Sequence, residues 1–249
     1  MIVLKSEREI KQMLEACKIS AEALKVAGEA VAPGVSTWEI DRIARRFIES
    51  KGARPTFLNY NGFPAAACIS INDEVIHGIP DKAHILKSGD IVSIDLGACI
   101  NGYTGDTAAT FACGEVSAEA KRLMEATEAS LYEGIAKAVP GGRLGDVGSA
   151  VQTYCEERGY SVVREYTGHG VGASLHEDPA VPNYGTPGRG VRLVPGMTIA
   201  IEPMINEGKA AVKTLSNGWT VKTTDGKLSA HFEHTVAITS SGPLIMTKL

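Results

Sequence analysis

Two stretches of this chain, residues 86–95 (LKSGDIVSID) and 193–202 (LVPGMTIAIE), match at leucine, glycine and isoleucine, and each closes on a carboxylate. Downstream, Asp106-Thr107 resembles Glu233-His234-Thr235, and the tetrapeptide at 77–80 (HGIP) loosely resembles that at 176–179 (HEDP). Local signals repeat alongside them. Ser6 with Glu9, and Ser36 with Glu39, have the spacing of capping boxes that open amphipathic helices. Ile10, Met13, Leu14, Cys17 and Leu24 recur at helical spacing until Pro33-Gly34; Ile40, Ile43, Phe47 and Ile48 do so until Gly52. A third helix is expected from Ser117 to about Val139 and a fourth over roughly 146–158, with strand-like, Gly- and Pro-punctuated sequence after each pair. The order helix pair, strands, helix pair, strands implies an α/β (α+β) duplication, with its acids set symmetrically about a pseudo-two-fold axis. No linker-like composition divides the chain, so 1–249 reads as one catalytic domain with halves at 1–112 and 113–249.

Acidic residues inside apolar, strand-like sequence are costly to bury unless paired or bound to a cation. Asp95 (SIDLG), Asp106 (GDT), Glu202 (AIEP) and Glu233 (FEHT) all have this setting. Asn101-Gly102 is a strong type I′ turn signal. A two-residue turn there sets Ile100 opposite Tyr103 and Gly97 opposite Asp106, and makes Asp95 and Asp106 diagonal neighbours on one face. In this register Gly97 leaves room for an ion. Each acid taken singly is equally compatible with a solvent-facing strand residue; four together are much less so. His169, between Gly168 and Gly170, is the most ligand-like histidine. One imidazole with several carboxylates suits Mn²⁺, Fe²⁺ or Co²⁺ at least as well as Zn²⁺. His84 and His231 read as structural or surface, and His234 faces away from Glu233.

Other chemistries lack support. There is no G-x-S-x-G, H-E-x-x-H, P-loop or dinucleotide-binding glycine pattern. The net charge of −4 without a Lys/Arg run argues against direct nucleic-acid binding. No stretch approaches the roughly 18 apolar residues of a membrane span, and the N-terminus lacks a signal-peptide core. Five cysteines without C-x-x-C spacing fit a reducing cytoplasm.

Taken in order, the segments SINDEVIHGIP (70–80), SIDLG (93–97), GYTGDT (102–107), TGHGVG (167–172), LHEDP (175–179), IEPMI (201–205) and FEHT (232–235) resemble those of bacterial type I methionine aminopeptidases. The resemblance spans essentially the whole chain. It implies the pita-bread fold, with a curved antiparallel sheet around a central dimetal site. It further implies that two divalent ions (Mn, Fe or Co, with Zn as a further candidate) are held by Asp95, Asp106, His169, Glu202 and Glu233, with Asp106 and Glu233 bridging. Glu202 would be the general base. His176 would bind the substrate amide and His77 would position the substrate. Phe57, Tyr60, Phe63, Cys68, Leu175 and Trp219 would form the methionine pocket. The substrate would be nascent polypeptide N-termini with a small second residue, processed by a monomer with transient ribosome association and no membrane contact. A prolidase of the same fold usually carries an extra N-terminal domain, for which 249 residues leave no room. A non-catalytic binding protein would typically have lost metal ligands, whereas all five are present here.

Overall fold

Both serine capping boxes form. The Ser6 hydroxyl accepts from the Glu9 N–H (3.3 Å) and the Glu9 carboxylate accepts from the Ser6 N–H (2.8 Å), opening α1 (Glu7–Glu29). Ser36 and Glu39 repeat the exchange for α2 (Thr37–Ser50). These bonds satisfy N–H groups that a helix start otherwise leaves unpaired. Ser117 caps α3 (Ala118–Lys137). α4 (Leu144–Glu156) begins ahead of the expected Asp146, because that carboxylate reaches back to the Arg143 N–H from inside the first turn. The computed structural model that shows this describes residues 1–249.

Each helix pair covers its own half of a sheet. Ile19, Leu24, Ile40 and Ile48 of α1 and α2 pack with Ile69, Leu86, Ile94 and Leu96. Leu131, Ile135, Leu144 and Val147 of α3 and α4 pack with Leu193, Ile199, Ile201 and Val236. Each such side chain contributes about 1.5–3 kcal/mol by leaving water.

The internal repeat is written in backbone hydrogen bonds. Gly34 N–H donates to the Leu86 carbonyl, and Leu86 N–H to Val35; Gly141 donates to Leu193, and Leu193 to Gly142. Gly89 donates to Cys113, and Cys113 to Asp90; Gly196 donates to Ile238, and Ile238 to Met197. Gly89 and Gly196 both adopt positive φ (102° and 96°), which explains why glycine matches between the two segments.

The central sheet has nine strands, all antiparallel. Its main path runs Arg54–Pro55, Ile91–Ile100, Tyr103–Ala112, Glu233–Thr239, Thr198–Ile201, Gly168–Gly170, Glu177–Val181. Ala67–Ile71 adds to the strand of Asp95, and Gly242–Ile245 to that of Glu233. With a helix pair on each half, this is the pita-bread arrangement that the motifs implied. Two three-stranded sheets not anticipated from the sequence flank it: Ser161–Val162, Met204–Asn206 and Ser229–His231 form one, Glu74–Ile76, Val212–Thr214 and Val221–Thr223 the other. No helix is long and apolar enough to cross a membrane.

Candidate active site

The hairpin turn sets the register of the site. Asn101 and Gly102 both have positive φ (54° and 81°), as a type I′ turn requires. Ile100 pairs with Tyr103 and Gly97 with Asp106, as the turn chemistry predicts. The room that Gly97 leaves is not open, however. A β-carbon there would lie 2.3 Å from Thr56 Oγ1, so the glycine accommodates the Thr56 hydroxyl from the neighbouring edge of the sheet.

One row of the sheet then assembles most of the acids. Cys68 lies opposite Asp95, Asp95 opposite Ala108, and Ala108 opposite Glu233. Directly opposed residues share a face, so the small Ala108 side chain stands between two carboxylates. Asp106 lies on that face as well, two positions along the strand from Ala108. Glu202 follows the Thr198–Ile201 strand, whose Ile201 pairs with His234. Threonine hydroxyls stitch the short junction between the halves: Thr107 donates to the Glu233 carbonyl, and Thr235 to the Asp106 carbonyl (2.9 and 2.8 Å).

His169 faces these acids. Its Nδ1–H donates to the Gly170 carbonyl (2.8 Å), which leaves Nε2 as the lone-pair nitrogen. That Nε2 lies 3.6 Å from Asp106 Oδ2 and 3.6 Å from Glu202 Oε1. Burial pushes the His169 pKa down to about 4, so the ring is a neutral donor. Burial also raises all four carboxyls, Asp106 to about 7, and proximity of like charges raises Asp95, Glu202 and Glu233 further. Asp95 Oδ1, Asp106 Oδ1 and Glu233 Oε1 are buried and accept no hydrogen bond. Ligand atoms of Asp106, His169 and Glu233 lie within 4.8 Å of one another. Orphaned carboxylate oxygens around a neutral imidazole nitrogen fit a hard divalent cation, which would satisfy and neutralise them together.

These residues form one end of a cavity of about 230 Å³. The other end is apolar: Phe57, Phe63, Cys68 and Leu175 are buried against one another, with Tyr60 and Trp219 packed on them. The Phe63 and Trp219 rings meet edge to face at 5.2 Å. His176 stands over His169, ring centroids 4.1 Å apart, with its Nδ1 2.8 Å from the Tyr60 hydroxyl. His77 has a left-handed backbone (φ 57°), unusual for a residue with a side chain, and its ring meets those of Tyr166 and Trp219. Every residue singled out for catalysis, metal binding or the pocket thus lines a single cavity.

A match to metallopeptidase family M24 covers residues 11–240. The chain belongs to that family. It is 54% identical over 247 residues to a methionine aminopeptidase of Clostridium acetobutylicum, covering 99% of each chain. The crystal structure of a methionine aminopeptidase from Rickettsia prowazekii, 43% identical, superimposes over all of both chains with a TM-score of 0.98. A prolidase from Pyrococcus furiosus, 26% identical, superimposes with a TM-score of 0.80, and the chain spans 66% of its length. M24 membership makes the chain a metallopeptidase.

Several cavity residues of this M24 protein were not marked by sequence reasoning. Tyr166 and Thr167 line the cleft beside His77. His231, expected to be structural or surface, is 1% exposed and lies 3.7 Å from Glu202, so the surface reading is corrected. Its position two residues before Glu233 was the available signal, since alternation favours a shared face. His84 is exposed, and His234 faces away from the cleft towards Thr247 and Tyr132, both as expected.

Proposed function

We propose that this chain removes N-terminal methionine from nascent polypeptides and peptides whose second residue is small. Residues 1–249 act in this reading as one catalytic unit, a monomer in the cytoplasm with transient ribosome contact. The observation that carries it is the single cavity, with unpartnered carboxylates at one end and an apolar, sulfur-compatible pocket at the other.

Asp95, Asp106, His169, Glu202 and Glu233 would hold two divalent ions, with Asp106 and Glu233 shared between them. When bound, such ions lower the pKa of water from about 15.7 towards 7 and neutralise the clustered carboxylates. Glu202 takes the proton of the attacking water and passes it to the leaving amine. His176, steadied at Nδ1 by the Tyr60 hydroxyl, offers Nε2–H to the substrate carbonyl as negative charge develops there. A well-aimed donor in that role is worth roughly 3–4 kcal/mol. His77 holds the substrate backbone beside Tyr166. Phe57, Tyr60, Phe63, Cys68, Leu175 and Trp219 enclose the methionine side chain; aromatic contacts with its sulfur give about 0.3–1.5 kcal/mol each. A free, neutral substrate amine is a group that such ions would bind, which restricts cleavage to N-termini.

The test is methionine release from Met-Ala-Ser by metal-stripped protein, before and after adding Mn²⁺ or Co²⁺, with Leu-Ala-Ser and Ala-Pro-Ala as controls. Metal-dependent release from the methionine peptide alone is the expected result. Cleavage of Ala-Pro-Ala instead would assign a prolidase-type specificity, and no cleavage of any peptide would refute the peptidase reading.

A further inference from the structure

His231 is the one imidazole beside the proposed metal ligands for which the reaction outlined above has no use: it lies behind Glu202 and does not line the cavity. It ends the Ser229–His231 strand and pairs there with Met204, just beyond Glu202 and Pro203. Its backbone is held from both sides by one side chain. The Thr110 hydroxyl donates to the His231 carbonyl (2.9 Å) and accepts from the His231 N–H (2.9 Å). That hydroxyl is 2.8 Å from Ser93 Oγ on the strand of Asp95, which joins His231 rigidly to the half of the sheet that carries Asp95 and Asp106.

One nitrogen of the ring is aimed at Glu202. His231 Nε2 is buried without a hydrogen-bond partner, and Glu202 Oε2 lies 3.7 Å from it. The other oxygen, Oε1, faces His169 Nε2 at 3.6 Å. Glu202 is therefore flanked by two imidazoles, one at each oxygen. They are not equivalent: His169 Nε2 bears a lone pair, because its Nδ1–H is committed to the Gly170 carbonyl. With Glu202 ionised, as a cation ligand must be, a lone pair on His231 Nε2 would set two acceptors against each other in a buried space. A proton there gives the orphaned nitrogen and the carboxylate oxygen a shared bond after a small turn of the Glu202 side chain.

We propose that His231 is a positioning residue for Glu202: its Nε2–H donates to Oε2 and holds the carboxylate with Oε1 turned towards His169 and the cleft. The inference rests on Glu202 being the working carboxylate of the proposed reaction. His231 itself touches no substrate. It fixes the orientation of a group that must both face a cation and accept a proton, and hydrogen-bonded neighbours of such ligands commonly set their affinity.

Three measurements test this. In protein labelled with ¹⁵N-histidine and loaded with diamagnetic Zn²⁺, His231 should show the Nε2–H tautomer; an Nδ1–H tautomer overturns the proposal, since Nε2 could not then donate. His231→Leu should weaken Co²⁺ binding in calorimetry by about 10–100-fold and lower kcat for Met-Ala-Ser comparably, with KM within about twofold and a native melting temperature. His231→Gln, which restores an N–H at similar reach, should recover most of both losses. Unchanged Co²⁺ affinity and kcat in the leucine variant, or a glutamine variant as impaired as the leucine one, would also overturn it. Should the unsubstituted protein cleave no peptide, the proposed function fails by itself, while the tautomer and the Co²⁺ affinities still decide the role of His231.

Discussion

The two halves of the sheet present acids on the same hydrogen-bonded frame but surround them differently. In the first half, Asp95 and Asp106 sit on one continuous hairpin closed by two residues, and their neighbours are Cys68, the Thr56 hydroxyl and Ala108. In the second, residues 203–232 intervene between Glu202 and Glu233, and they carry Trp219, Thr220 and His231. The Thr220 hydroxyl lies 3.5 Å from the His77 carbonyl, so this excursion reaches back to the first half. Glu202 is flanked by His169 and His231, whereas no imidazole stands against Asp95. Around the acids themselves, the first half thus supplies oxygens, and the second adds imidazole nitrogens to a copy of the same scaffold.

The largest test of this asymmetry is chemical. Glu202→Gln should lower kcat about 10³-fold while Met-Ala-Ser still binds, followed by single-turnover kinetics and peptide titration. Wild-type turnover would remove Glu202 from the role of base. The frame itself should behave symmetrically. Leu86→Ala and Leu193→Ala, each emptying an equivalent and almost wholly buried position, should both cost about 2–5 kcal/mol in urea denaturation at a fixed metal concentration. A loss confined to one of them would show that the repeated hydrogen bonds do not reflect equivalent cores.

Acidity, in contrast, acts on both halves alike. In metal-stripped protein the carboxyls have raised pKa values, Asp106 near 7, so the folded state binds their protons more tightly than the unfolded chain. Stability is therefore gained as pH falls through about 7. His77 and His169, pushed down to about 4, and His231, to about 3, stay neutral when folded and withdraw stability as pH falls below the ordinary value of 6.5. The melting temperature of the stripped protein should rise by about 5 °C from pH 8 to pH 6, because four carboxyls outweigh three imidazoles, and divalent metal should flatten the rise. A monotonic fall from pH 8 to pH 6 would contradict the carboxylate assignment. The smallest effects are at the helix starts. Ser36→Ala should cost about 1 kcal/mol, while Arg143→Ser at the counterpart, where only the Asp146 half of the exchange is made, should gain no more than about 0.5 kcal/mol by thermal melts.

Features governed by local chemistry were legible in the sequence. Capping boxes define α1 and α2 because the exchange of bonds spans three residues. The register of Asp95 against Asp106 follows from the turn at Asn101-Gly102, whose positive φ values few other dipeptides accept. Long-range contacts were not legible. Thr56 fills the space beside Gly97 across the sheet edge, and His231 meets Glu202 only because Ser229–His231 folds onto Met204–Asn206. The cavity residue Tyr166 lacks any pattern of its own, and Thr167 only opens the TGHGVG segment; their place depends on how the neighbouring Gly168–Gly170 strand joins the sheet.

The row Cys68–Asp95–Ala108–Glu233 has a consequence for how such a centre can change over time. The span between its two acids is two strand spacings, each about 4.8 Å, and is set by peptide groups common to every sequence. The dimension of the reaction centre is thus inherited from the backbone, as a gauge is, and needs no side chain to calibrate it. Residues 57–63 and Leu175, which shape the far end of the cavity, lie outside the strands of that gauge. New specificities can be tried there while the spacing on which the chemistry depends stays the same.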